Sequence, residues 1–298
     1  MLRTILTLAS VPSLLTAAAC SSVGDREASV VASFYPLAFA AERLAGDCVD
    51  VLDLTPAGVE PHDLELDPSD VEAIATADLV LYLGGGFQPG VEDAIPDAGG
   101  RTLDVLDAVE TVAPPPGEAE GGSAVDPHVW LDPTRFATIA DRVADELDAT
   151  GVAAECDLAA SADALRGDLE ALDDDLRAEL ESCRDDLLVT SHAAFGYLAD
   201  AYGLRQEAIA GIEPETEPDP QRLAALTELV EREGVTTIFT EELVAPDVAR
   251  TLADEAGVRT DVLSTIEGLT DEQLDRGEDY LTLMRGNLDA LRAALRCA

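Results

Sequence analysis

The sequence predicts an α/β protein of two lobes, each built on a mainly parallel sheet, joined by a long spanning helix. Three observations carry that reading. Short β-type runs alternate with helical stretches from Ser29 to Leu106, the rhythm of βαβ units and of a parallel sheet. The same alternation returns from Leu187 to Leu263. Between them lies a stripe of Leu158, Leu165, Leu169, Leu172, Leu176 and Leu180, with the spacing of a helix that faces a core. The stripe lasts too few heptads for a coiled coil.

Residues 1–28 read as an address and a tether. A short basic start leads into an apolar stretch to Leu15 and then small residues before Cys20. That is the pattern of an export signal, too short for a membrane-spanning helix. Small residues directly ahead of a cysteine resemble a lipobox, which makes Cys20 the lipidated first residue of the mature chain. An ordinary secretory signal with an incidental cysteine is the competing reading. The lipobox implies an extracytoplasmic protein anchored to the cell membrane by lipid.

The N-terminal lobe covers residues 29–133. Strands are expected at Ser29–Ser33, Val49–Leu54, Leu79–Leu83 and Thr102–Leu106, and helices at Leu37–Ala45 and Pro68–Thr76. A Gly84-Gly85-Gly86 turn leads into a further short helix, and residues 113–125 form a Pro/Gly/Glu loop. Residues 134–184 hold two helices, Thr134–Ala149 and Asp157–Ser182. The second spans roughly 39 Å at about 1.5 Å per residue, long enough to cross both lobes. Bending it would break backbone hydrogen bonds, so it limits hinge opening. The C-terminal lobe, 185–298, has strands at Leu187–Thr190, Gln206–Ala210, Val235–Thr240 and Arg259–Leu263. Its helices are Gln221–Glu233, Ala245–Glu255 and a closing helix from about Asp275 to Arg296.

Composition excludes several roles. Of 298 residues, 47% are hydrophobic, which rules out wholesale disorder. Eighteen basic residues, all arginine, face 61 acidic ones, for a net charge of −43. So negative a surface repels phosphate backbones, so no nucleic acid is expected as partner, and it opposes electrostatic docking on anionic lipid. Self-repulsion on this scale is tolerable where salt screens it, which points to a salt-loving source. A high-GC genome would explain the missing lysine but not the charge.

Four cysteines lie beyond the signal: Cys48, Cys156, Cys183 and Cys297. An even number in an exported protein invites disulfides, with three possible pairings, against four free thiols. Cys156 and Cys183 sit at opposite ends of the long helix, roughly 40 Å apart, far beyond the reach of a bridge. Cys48 lies at the start of a first-lobe strand, away from the strand exits, as does the turn holding Cys156, whereas Cys183 precedes a second-lobe strand and Cys297 ends the closing helix. The expected pairs are Cys48–Cys156 and Cys183–Cys297.

The chain holds three histidines, His62, His128 and His192. His62 and His192 follow strands, at the sheet edge where open α/β folds bind ligands. His128 precedes a helix. Three neutral imidazoles suit a borderline cation such as Zn²⁺. Their contexts are Gly58–Asp63 (GVEPHD), Asp126–Pro133 (DPHVWLDP) and Thr190–Leu198 (TSHAAFGYL), with weaker matches at Gly84–Pro89, Glu217–Leu226 and Phe239–Glu241. Through these stretches the chain, over about residues 29–296, resembles the zinc- and manganese-binding solute receptors of metal-uptake ABC transporters. The resemblance implies one ion in the interlobe cleft held by His62, His128 and His192, and a membrane permease and its ATPase as partners. A monomer is expected.

Two departures bear on the site. The loop that is His-rich in many zinc members carries here Glu118 and Glu120 but no histidine, so it is not expected to store metal. Ser264-Thr265 stand where the family often has Asp-Pro ahead of Glu-Gly-Leu-Thr, which removes the usual fourth carboxylate. Glu241, at the exit of Val235–Thr240, is the expected replacement, with a bound water next and Glu60 third; Glu267 also lies near. Glu241 has an alternative role as an acceptor that orients one imidazole. Retention of three imidazoles favours zinc over Mn²⁺, which prefers oxygen. A His₃ zinc hydrolase is the alternative outside this class, but the chain has no HExxH helix or nucleophile motif.

Overall fold

The computed structural model describes residues 30–114 and 125–298. The signal, Cys20, Glu118 and Glu120 lie outside the described residues. Strands β1 (Val30–Ala32), β2 (Val51–Asp53), β3 (Leu79–Tyr82) and β4 (Arg101–Asp104) form one sheet in the order β2-β1-β3-β4. Strands β5 (Leu187–Thr190), β6 (Arg205–Ala208), β7 (Thr237–Thr240) and β8 (Arg259–Val262) form a second, in the order β6-β5-β7-β8. Every pairing is parallel. The central strands β1, β3, β5 and β7 are almost wholly buried, and so read as unbroken apolar or β-branched runs, as strands covered on both faces must. The edge strands β4, β6 and β8 carry Arg101, Arg205, Glu207, Arg259 and Asp261 towards solvent, which discourages edge-to-edge pairing. In each sheet the strand order reverses, at β1/β3 and at β5/β7, and the carboxyl ends there border a crevice.

Among the described residues ten helices surround the sheets: α1 (Tyr35–Ala45), α2 (Pro68–Thr76), α3 (Pro89–Ala94), α4 (Pro133–Thr150), α5 (Leu158–Leu180), α6 (Gly196–Tyr202), α7 (Pro220–Glu233), α8 (Asp247–Ala256), α9 (Asp271–Arg276) and α10 (Tyr280–Leu295). Three begin with the same device. Asp67, Asp132 and Asp219 cap the first backbone N–H groups of α2, α4 and α7, and the following proline occupies the first helical position, where its missing N–H costs nothing.

Helix α5 runs 23 residues, about 35 Å. Its Leu165, Leu169, Leu172, Leu176 and Leu180 are buried. They pack against α1 and α4 on the first-sheet side and against α6 and α10 on the other. One apolar core therefore runs continuously from Val30 and Leu79, along α5, to Leu188 and Phe239. Cys48 pairs with Cys156 just ahead of α5, and Cys183 pairs with Cys297 just beyond it, so a bridge stands at each end of the spine.

Two of the differences from the sequence reading have a plain local cause. The closing helix is broken into α9 and α10: Gly277 adopts φ of 68°, and Asp279 starts a new helix through a reciprocal cap with Thr282. The strand expected from Val49 begins at Val51 because a 3₁₀ turn occupies Gly46–Cys48.

The Cys183–Cys297 bridge closes a span of 114 residues. Replacing both cysteines with serine should lower unfolding free energy by about 2–4 kcal/mol, measured by urea titration under oxidising conditions. An unchanged midpoint would show that the bridge does not form in the isolated protein.

Candidate metal centre

The three histidines arrive from separate parts of the chain. His62 lies in a 3₁₀ turn, Pro61–Asp63, after β2. His128 precedes the turn Val129–Leu131 that leads into α4. His192 stands two residues beyond β5. Their side chains are all but completely buried. The His128 and His192 rings are 5.2 Å apart between centroids, with Nε2 atoms 3.3 Å apart. The His62 ring is 5.7 Å from the first and 6.1 Å from the second.

Glu267, also fully buried, completes the group. Its Oε1 lies 3.2 Å from His128 Nε2, 3.7 Å from His192 Nε2 and 3.9 Å from His62 Nε2. One donor atom from each of the four residues falls within 4.8 Å of all the others. Tetrahedral zinc with bonds of about 2.0–2.1 Å sets donors about 3.3 Å apart, so a small contraction would seat the ion. Both carboxylate oxygens of Glu267 and both ring nitrogens of His62 lack a well-aligned hydrogen bond. An unsatisfied buried polar group costs about 1–3 kcal/mol, and a cation at the centre would satisfy His62 Nε2 and the Glu267 carboxylate, leaving His62 Nδ1 to face Glu213. Among the described residues this is the one such cluster.

Glu267 reaches the centre because of the backbone just before it. Ile266 has φ of 55°, a left-handed conformation that a β-branched residue seldom adopts, and the chain leaving β8 turns sharply there. The segment is bolted on both sides. Asn287 bonds Ser264 N–H and C=O at 2.7 Å each, and the Trp130 indole donates to Thr265 O at 2.8 Å.

The carboxylate that the geometry brings to the three imidazoles is Glu267, rather than Glu241 or Glu60. Glu241 is turned onto His192: its Oε2 is 2.7 Å from Nδ1, and its Oε1 accepts the His192 N–H and the Ser191 hydroxyl. Glu60 accepts the His62 N–H at 3.3 Å. Burial, and then the charge of Glu267, push the Glu60 carboxyl up to about 9.

Carboxylates also orient the other rings. Asp126 Oδ1 meets His128 Nδ1 at 2.8 Å and the His128 N–H at 3.0 Å. Glu213 Oε2 faces His62 Nδ1 at 3.4 Å. With Nδ1 facing a carboxylate, each imidazole turns Nε2 inward, the arrangement that fixes tautomer and raises basicity in metal-binding histidines. Burial pulls His128 and His192 towards lower pKa, but Asp126 and Glu267 outweigh it for the first and Glu241 and Glu267 for the second, so both are raised. Burial pushes Glu267 upward, yet the neighbouring imidazoles hold it well below the usual carboxylate range.

Two supports escaped the sequence reading although both lie inside the quoted motifs. Asp126 stands two residues before His128. Gly196 opens α6, and a Cβ there would collide with the Asp126 carboxylate. Tyr197 then fixes the same residue by donating its hydroxyl to Asp126 O at 2.8 Å. Below the rings, Phe87 sits edge-on to His62 at 4.5 Å, and Trp130 lies 5.4 Å from His128.

Residues 30–294 match the family described as zinc-uptake complex component A, periplasmic. The zinc-binding protein AdcA of Streptococcus pyogenes serotype M1 is 33% identical over 290 residues, 91% of this chain and 56% of that protein. The chain thus spans little more than half the length of that relative. The high-affinity zinc uptake system protein ZnuA of Bacillus subtilis (strain 168) is 34% identical over 295 residues, covering 94% of this chain and 91% of that one. The Zn(II)-bound ZnuA-like domain of Streptococcus pneumoniae AdcA superposes with a TM-score of 0.75 at 34% identity, covering 91% of this chain and 99% of that one.

Gly196→Ala should displace the Asp126 carboxylate and free the His128 ring, weakening divalent-cation binding by about 10–100-fold with an unchanged far-ultraviolet circular dichroism spectrum. Parent-like affinity would show that Asp126 does not orient His128.

Proposed function

The chain belongs to the zinc-uptake complex component A family, and from that premise we propose that it captures Zn²⁺ outside the cytoplasm and delivers it to the permease of an ABC transporter. The observation that carries this reading is the buried His62–His128–His192–Glu267 group, with donor atoms already within 4.8 Å of one another. Three imidazole nitrogens favour zinc over Mn²⁺, whose preference is for oxygen. Four protein donors leave no open position for an activated water, which a catalytic zinc keeps; this supports a carrier over an enzyme.

The remaining parts of the proposal follow from the sequence. Cys20 carries the lipid that holds the mature chain at the membrane. No helix among the described residues is long and apolar enough to cross a membrane, which is consistent with a tethered carrier. The permease couples it to an ATPase, and the chain works as a monomer. The net charge of −43 fits a salt-rich medium, where the repulsion is screened.

Titration calorimetry on single variants tests the ligand set. Glu267→Gln should weaken zinc binding by more than about 100-fold, whereas Glu241→Gln, which disturbs only the orientation of His192, should cost about 10–100-fold. The reverse ranking would return the fourth position to Glu241. Acid should release the ion. His128 and His192 are held above their ordinary value, so protons compete with zinc already near neutral pH, and binding expels them. Affinity should fall steadily from about pH 7.5 to about pH 5.5, and the heat at pH 7 should depend on the buffer's ionisation enthalpy. A flat affinity across that range would contradict the site.

A further inference from the structure

The three carboxylates that face Nδ1 atoms are not equivalent. Asp126 and Glu241 are each 2% exposed in the side chain, and each comes from the same side of the cleft as, or the same sequence motif as, its histidine. Glu213 is 51% exposed in the side chain. It lies on the loop between β6 and α7 of the second sheet, whereas His62 hangs from the β2 exit of the first. Of the three orienting contacts, only His62–Glu213 both joins the two sheets and reaches solvent.

The loop presents Glu213 from a fixed base. Ile212 is buried against Ala193 and Ala208, and Gly211 O accepts the Ala193 N–H at 2.9 Å, next to His192. Pro214 is buried, and a residue before proline is confined to extended backbone. Glu213 is thus an exposed carboxylate between two anchored neighbours. Its partner is a buried imidazole whose nitrogens have no well-aligned hydrogen bond. At 3.4 Å the contact is long and accessible to water, the weakest of the three.

We propose that Glu213 is a positioning residue that latches the His62 imidazole over the bound ion, and that breaking this contact is the first step of metal release. The inference rests on the zinc-capture reading above. With Glu213 withdrawn, the His62 ring loses its acceptor and turns on its side-chain torsions, carrying Nε2 away from the ion. His128 and His192 keep their buried partners meanwhile, so the ion leaves from the His62 side. Glu213 then controls how long zinc stays rather than how fast it arrives.

The test uses the full chain and zinc alone. Zinc stoichiometry of the parent is measured first; a parent that holds no zinc overturns the capture reading, and the latch with it. Release is then followed by stopped-flow mixing of zinc-loaded protein with excess chelator, and association by mixing apoprotein with zinc. Glu213→Ala should release zinc about tenfold faster, the lower end of the range for such supporting residues, with an association rate within about twofold of the parent. Glu215→Ala, which removes another exposed carboxylate of the same loop, should match the parent in both rates. The latch is overturned if Glu213→Ala releases zinc at the parent rate, if its effect lies wholly in association, or if Glu215→Ala accelerates release equally.

Discussion

Glu267 brings a carboxylate into an interior where neither oxygen meets a well-aligned donor and three imidazoles stand within 4 Å. A charge removed from water in this way is costly unless paired. Without a cation the pairing partner is a proton on the imidazoles, which is why His128 and His192 are raised while Glu267 is held down. A divalent ion supplies the same compensation with more charge and satisfies all four donors together. The surrounding structure keeps these groups together against the cost of taking them out of water.

Rigidity is the means. Helix α5 packs on elements of both sheets through one leucine stripe, and a disulfide stands at either end. Across the cleft, Tyr280 donates to Trp130 O at 2.6 Å, and Trp130 donates in turn to Thr265 O at 2.8 Å. The motif that holds His128 is thereby tied to the segment that carries Glu267. The strained Ile266 backbone is held by its own burial and by the Asn287 clamp on Ser264. Such a frame orders the donors before the ion arrives, which reduces the ordering cost of binding. Little scope is left for a large hinge, so small motions at the rim have to admit and release the ion.

Much of this was legible in the sequence. The two βαβ blocks, the α5 stripe and the three histidines follow from periodicity and from their places at strand exits. The fourth donor did not follow, for a physical reason. Glu241 leaves β7 at the same sheet edge as His192, and simple strand geometry brings it close, but closeness alone does not separate a ligand from an acceptor on Nδ1. Glu267 owes its position to a left-handed Ile266, a conformation that residue type argues against. The break between α9 and α10 was marked by Gly277 and the Asp279–Thr282 cap, short signals inside a long helical pattern. Asp126 and Gly196 belong together only in three dimensions, because their contact joins two motifs far apart in the chain.

The central claim is that three imidazoles and one carboxylate surround a zinc ion that no solvent reaches. X-ray absorption at the zinc edge on protein loaded with one equivalent tests it most directly. Four light donors are expected at about 2.0–2.1 Å, three with the multiple-scattering signature of imidazole and one oxygen, with loss of that oxygen contribution or its replacement by water in Glu267→Gln. Five or six oxygen-rich donors, or a spectrum that Glu267→Gln leaves unchanged, would contradict it.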